Sequence, residues 1–226
     1  MQPFLPLFFL ALWTTTATAT TLGLDVSQAH DQATWKCLRA KTNRTWGIVR
    51  AYHSYGKFDT TATATLAAAK SAGFDTMDVY MFPCPTKSAS SQAQDLVHQL
   101  QSSSWSSVWI DVETNPSTGC GWSATDFSSN CQFVQELITA FTGTGTAVGI
   151  YSSKYEWTAV MGSDCTVGSH LPLWYAHYDT SGATCSDYPR ETFGGWTRPY
   201  AKQYADHGVN ATASCGFQNA DMNVKC

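Results

Sequence analysis

The 226-residue sequence predicts an α/β protein, an irregular (β/α) barrel with few or short helices in its C-terminal half. Three observations carry that expectation. Apolar runs rich in Val, Ile, Tyr and Trp recur along the chain, and they are continuous, as strands covered on both faces must be. In the first half each run is followed by a helical pattern, which argues for parallel strands. Roughly eight such runs fall within about 200 residues, enough for a small barrel. The rival architecture, an open doubly wound sheet, would be favoured by a Gly-rich phosphate loop after the first strand, but "LGLDVSQAH" has no G-x-G-x-x-G.

The start, "MQPFLPLFFLALWTTTATAT", reads as a secretory signal. Phe4 to Trp13 is apolar, and Ala17 and Ala19 fit small-x-small cleavage. The n-region has no Lys or Arg, so only the α-amino group is positive there. The apolar stretch is too short for a membrane anchor, which takes about 20 residues. Residues 1–19 are therefore expected to be removed and 20–226 to form a single domain. With 43% apolar residues, 9 Trp, 10 Tyr and 11 Phe, the chain can fill one sizeable core.

The first strand is "TLGLDVS" from Thr21, ending in Asp25, with the helix "DQATWKCLRAK" behind it. The second, "WGIVRAY" from Trp46, ends at Tyr52 and His53, and its helix "TATATLAAAKSAG" closes on a Gly suited to a C-terminus. The third, "TMDVYMF" from Thr76, ends at Tyr80 and Phe82 and precedes "SSQAQDLVHQLQSS". The fourth, "VWIDVE" from Val108, ends in Asp111 and Glu113 and precedes "DFSSNCQFVQELITAFTG". After it come "AVGIYSS" with Tyr151, "LPLWYAHY" with Trp174 to Tyr178, "AKQYA" with Gln203 and Tyr204, and "ADMNV" with Asp221. Little room remains between these last runs for helices.

Composition narrows the function. Net charge is −4 with only 13 Lys and Arg, so the basic patch of a nucleic-acid binder is missing. No basic amphipathic helix suits a membrane surface. Eight cysteines, at 37, 84, 120, 131, 165, 185, 215 and 226, suit four disulfides in an oxidising compartment, with the pairing left open. A zinc site is disfavoured, because no C-x-x-C pair occurs. The sequons at Asn43 ("NRT") and Asn210 ("NAT") add glycosylation sites to a secreted or lysosomal reading.

In a parallel barrel the active site lies at the C-terminal ends of the strands. Acids and aromatics collect there. Side chains at i and i+2 share a strand face, so Asp111, Glu113 and Trp109 point one way while Ile110 and Val112 point toward the helices. Two carboxyls crowded in a low-dielectric pocket should not both ionise easily. That is the arrangement a general acid and a stabilising carboxylate need in glycoside hydrolysis, and aromatic side chains suit sugar ring faces. Taken singly, a strand-end acid as often caps a helix or pairs with Lys, and Asp25 could cap the helix that follows it. No G-x-S-x-G, H-E-x-x-H or P-loop motif occurs. The six His do not cluster at ligand spacing; His53 and His177 sit at strand ends within reach of a ligand, although a satisfied or exposed His is the ordinary reading. No metal and no cofactor is called for.

The ordered set "GLDVSQ", "VYMFPCPTKS", "WIDVE", "GIYSS", "LWYAHY", "KQY" and "DMN" resembles the glycoside hydrolase family 25 lysozymes, in their secreted eukaryotic branch of nematode and amoeba type. The resemblance covers nearly all of the chain after the signal. It implies an N-acetylmuramidase that cleaves the β-1,4 bond from N-acetylmuramic acid to N-acetylglucosamine in peptidoglycan, for antibacterial defence or digestion, acting as a monomer. It implies Glu113 as the acid that protonates the leaving oxygen, Asp111 as its charged partner, Asp25 and Asp221 as outer acids, and Tyr80, Tyr151, Trp174 and Gln203 as sugar contacts. The cysteines depart from the bacterial members and leave the acids untouched. A chitinase-like hydrolase is a rival, but that motif carries a further Asp where this chain has Trp109. A non-catalytic sugar-binding barrel would lose the acid, and Glu113 is present. An acidic pH optimum is expected, since acidification protonates Glu113 and reduces the repulsion of an anionic wall.

Overall fold

The computed structural model describes residues 20–206, 214–216 and 220–226. In chain order the elements are β1 (Leu22–Val26), α1 (Gln32–Thr42), β2 (Trp46–His53), β3 (Lys57–Phe58), α2 (Ala62–Ser71), β4 (Thr76–Met81), α3 (Ala89–Gln99), β5 (Ser107–Asp111), α4 (Phe127–Gly143), β6 (Ala147–Ser152), α5 (Lys154–Met161), β7 (Leu173–Ala176), β8 (Ala201–Ala205) and β9 (Ala220–Lys225). Eight strands close into a barrel in the order β1-β2-β4-β5-β6-β7-β8-β9, with β9 returning to β1 and β3 appended to β2. The barrel expected from the sequence is present, and its helices thin out in the second half.

Alternation divides each strand between two apolar layers. Inside the barrel lie Trp46, Ile48, Trp109, Tyr151, Trp174 and Ala201. Outside, Leu24, Val49, Val79, Ile110, Ile150 and Leu173 pack with helix residues such as Leu38, Leu66, Leu96 and Leu137. The interior is tight enough to need glycine opposite tryptophan. A Cβ at Gly149 would sit 2.3 Å from Trp109 Cζ3, and one at Gly23 would sit 2.5 Å from Trp46 Cε3. Both tryptophans donate their indole N–H to the buried Asp78 Oδ2, at 2.8 Å from Trp46 and 3.2 Å from Trp109.

Short side chains start the helices. Asp31, Ser88, Asp126 and Ser153 each accept from the backbone N–H three residues on. Asp31, not Asp25, therefore caps α1. Helix α4 runs to Gly143, but the left-handed turn residue behind it is Gly145, φ 77°.

Two features depart from the expected pattern. Strand β9 runs antiparallel to both β8 and β1. A parallel return needs a crossover to the far end of the sheet; here the chain leaves β8 and enters β9 at the same rim. Helix α5 was not evident as a periodic segment, being only 8 residues long. Its signal is local: Ser153 and Glu156 have the S-x-x-E spacing of a capping box.

Outside β7 and β8 a polar clamp takes the place of a helix. Ala201 and Gln203 face inward, so Lys202 faces out, and it is fully buried. Its Nζ lies 2.8 Å from Asp179 Oδ1 and 3.0 Å from Asp187 Oδ1. Tyr175 donates its hydroxyl to Asp187, and His177 Nδ1 sits 2.7 Å from the other oxygen of that carboxyl. All eight cysteines pair, as Cys37–Cys215, Cys84–Cys120, Cys131–Cys165 and Cys185–Cys226.

Candidate active site

At the rim, Asp25, Tyr80, Asp111, Glu113, Tyr151, Trp174, Gln203 and Asp221 line one small cavity of about 90 Å³. Each residue singled out from the sequence as an acid or a sugar contact is in that lining. The reason is register. Asp25 pairs with Asp221 across β1 and β9, Asp111 with Tyr151 across β5 and β6, and Tyr151 with Trp174 across β6 and β7. Inward-facing positions of neighbouring strands thus converge at one height.

Gln203 is the hub of the polar wall. Its Nε2 donates to Asp25 Oδ2 at 2.9 Å and to Asp221 Oδ2 at 3.3 Å. Its Oε1 accepts from Tyr151 at 2.7 Å and from Tyr178 at 2.5 Å. Asn223 donates to Asp25 at 2.8 Å and accepts from the Trp174 indole at 2.9 Å. Trp174 leans on Tyr151 with ring centroids 4.3 Å apart. Tyr178, within the strand end Trp174 to Tyr178, and Asn223 carry no assigned role from the sequence, because their contacts depend on partners far along the chain.

Glu113 stands just beyond the end of β5, on a backbone pinned at successive residues. Val112 donates its N–H to Tyr151 O and accepts from Ser152 Oγ. Trp122 donates its indole N–H to Glu113 O at 2.8 Å. Thr114 gives both its N–H, at 2.8 Å, and its hydroxyl, at 2.7 Å, to Glu156 Oε2.

Burial disfavours ionisation throughout the cleft. Glu113 is pushed up to about 7, first by burial and then by the charge of Glu156, with a Tyr151 hydrogen bond opposing. Asp25 is also pushed up to about 7, by burial and by Asp221, against hydrogen bonds from Asn223 and Gln203. Asp111 rises well above the usual carboxylate range through burial, with Glu113 and Asp25 adding to it. Its Oδ1 is buried without a hydrogen-bond partner among the described residues. Burial thus opposes the charge of Asp111 as well as that of Glu113, and Asp111 is the more deeply enclosed of the two.

His53 and His177 turn away from this cavity. His53 stacks on Tyr55 at 4.7 Å and faces Asp59, while His177 belongs to the clamp around Asp187. His177, Asp179 and Asp187 form an acid-and-imidazole group, but the ammonium of Lys202 already bonds both carboxylates. A larger cleft of about 720 Å³, lined by His170, Trp196, Arg198, Tyr200 and Lys225, has no Asp or Glu in its lining.

A model of the family described as Lysozyme-like protein 1 matches residues 16–204. Probable GH family 25 lysozyme 2 of Dictyostelium discoideum is 36% identical over 204 residues, covering 89% of each chain. The chain belongs to the family 25 lysozymes. Lysozyme-like protein 5 of Caenorhabditis elegans is 30% identical over 207 residues, again covering 89% of each. Among solved structures, a family GH25 lysozyme from Aspergillus fumigatus superposes with a TM-score of 0.69 at 19% identity, covering 92% of this chain and 94% of that one. The protein is thus a glycoside hydrolase, and the lysozyme barrel carries its acid-lined cavity at the rim where (β/α) barrels place their sites.

Proposed function

We propose that this lysozyme hydrolyses the β-1,4 bond between N-acetylmuramic acid and N-acetylglucosamine in bacterial peptidoglycan, with Glu113 as the proton donor. The observation that carries this reading is a carboxyl held protonated up to about 7, beside a second buried carboxyl, in an aromatic-walled cavity. In the reaction Glu113 gives its proton to the glycosidic oxygen. The bond from that oxygen to the anomeric carbon breaks, and its electron pair stays on the leaving sugar. Positive charge builds at the anomeric carbon, and Asp111 orients the substrate N-acetyl group or stabilises that developing charge. Asp25 and Asp221 serve as outer acids, and Tyr80, Tyr151, Trp174 and Gln203 as sugar contacts. Water supplies the hydroxyl of the new reducing end, and its other proton restores Glu113.

Secretion fits the same reading. Four disulfides persist in oxidising compartments. Among the described residues no helix is long and apolar enough to cross a membrane. Asn43 is exposed in a left-handed turn at the end of α1, open to a glycan; Asn210 and the signal at residues 1–19 lie outside the described residues.

The test is lysis of bacterial walls by wild type and Glu113→Gln, with chitin as a parallel substrate. The wild type should release reducing ends from walls and not from chitin. Its rate should fall as pH rises through about 7, where Glu113 loses its proton. The variant should lose on the order of 10²-fold or more, as expected for a removed general acid. Equal lysis by Glu113→Gln would remove that residue from its role, and a preference for chitin would change the substrate.

A further inference from the structure

Helix α5 begins where β6 ends, and its third residue is Glu156. In a capping box that side chain turns back to the N-cap backbone N–H. Here it turns outward across the rim. Its Oε2 takes both the backbone N–H and the hydroxyl of Thr114, the residue after Glu113. The helix start is capped by Ser153 alone, which accepts from the Glu156 N–H at 3.0 Å.

The carboxyl of Glu156 is thus tied to the segment that carries the proposed acid, from an element that lines no part of the cavity. Among the described residues, the other ionisable groups around Glu113 are Asp111 on β5, Asp25 on β1, Asp221 on β9, Tyr80 on β4, Tyr151 on β6 and Tyr178 beyond β7. All are acids or neutral hydroxyls. Among the described residues, Arg50 pairs with Asp59 at 3.0 Å, and Lys154 reaches Arg190 O at 3.0 Å. After burial, Glu156 is the largest influence holding the proton on Glu113.

We propose that Glu156 is a positioning residue of the lysozyme reaction: by accepting both Thr114 hydrogen bonds it fixes the backbone that carries Glu113, and it sets a negative charge beside that side chain. This rests on Glu113 being the proton donor. The substitution Glu156→Gln separates the two effects. An amide oxygen still accepts both Thr114 hydrogen bonds, but the charge is gone.

The experiment is the pH profile of kcat/KM on bacterial walls for wild type, Glu156→Gln, Glu156→Asp and Glu113→Gln. Without the neighbouring charge Glu113 ionises more readily, so the alkaline limb of Glu156→Gln should move to lower pH by about half a unit or more. Its acid plateau should stay within roughly threefold of wild type, because the acid itself is intact. Glu156→Asp keeps the charge on a shorter arm, so its alkaline limb should stay with wild type while its rate falls. An unmoved limb in Glu156→Gln overturns the proposal. If Glu156→Gln does not fold, a displaced limb in Glu156→Asp overturns it and a wild-type limb supports it. Full activity in Glu113→Gln would instead sink the proton-donor reading, so the two failures are distinguishable.

Discussion

Asp25 is 7% exposed, sits opposite another acid in register, and still accepts two amide hydrogen bonds. Its environment opposes charge more than those bonds support it, hence its rise to about 7. A carboxyl whose folded value lies above its unfolded one stabilises the fold only while protonated, and that stability is lost as pH rises through the folded value. Asp25→Asn keeps both hydrogen-bond contacts without the charge. It should therefore raise Tm at pH 8 by several degrees, corresponding to roughly 1–3 kcal/mol, and leave it nearly unchanged at pH 4. Thermal melts at the two pH values check this; a lower Tm at pH 8 would mean the charge is not the burden described. At this scale much was legible. Asp111 and Glu113 share a face because strands alternate, and that needs only the sequence. The Asp25 contact with Asn223 and the turn of Glu156 toward Thr114 join distant parts of the chain, and no local pattern encodes them.

Elements were read most securely where an apolar run was followed by a long helical pattern. The barrel strands β1, β2, β4 and β5 and the helices α1 to α4 fit that form. Short elements escaped. The two-residue β3 has no periodicity to detect, and α5 is announced only by its cap. The direction of β9 depends on which end of the barrel the preceding connection uses, which composition does not report. The polar clamp outside β7 and β8 was also unforeseen, since a lysine in a strand ordinarily reads as exposed. Lys202 instead neutralises Asp187, which is 1% exposed. Replacing it with Met would leave that carboxylate buried without its ammonium. Lys202→Met should cost about 3–5 kcal/mol in urea unfolding, whereas the double variant Lys202→Met, Asp187→Asn should recover part of the loss. A single variant as stable as wild type would show the clamp to be dispensable.

Across the whole molecule, two groups of carboxyls pull stability in opposite directions with pH. Glu113, Asp25 and Asp111 are raised in the cleft, mainly by burial. Asp59 and Asp187 are held below the usual range by Thr61 and Arg50, and by His177 and Lys202, despite their burial. The first group's stability is full below the ordinary carboxylate values and is lost as pH rises from there, through about 7 for Asp25 and Glu113; the second loses it as pH falls below the carboxylate range. Maximum stability should thus lie near the ordinary carboxylate values, at about pH 4, with Tm falling between pH 5 and pH 8. Calorimetry across that interval decides the matter, and a Tm that climbs toward pH 8 would contradict the cleft electrostatics. The expected acidic working range then coincides with the range of greatest stability.

The antiparallel last strand has a further consequence, in time rather than space. Asp25 belongs to the first strand to be synthesised, and its hydrogen-bond partner Asn223 and facing acid Asp221 belong to the last. During translation the cleft stands open on one side until β9 emerges and inserts between β1 and β8. Glu113 is therefore synthesised well before the wall around it is complete. Hydrolytic competence should arrive only once β9 has inserted.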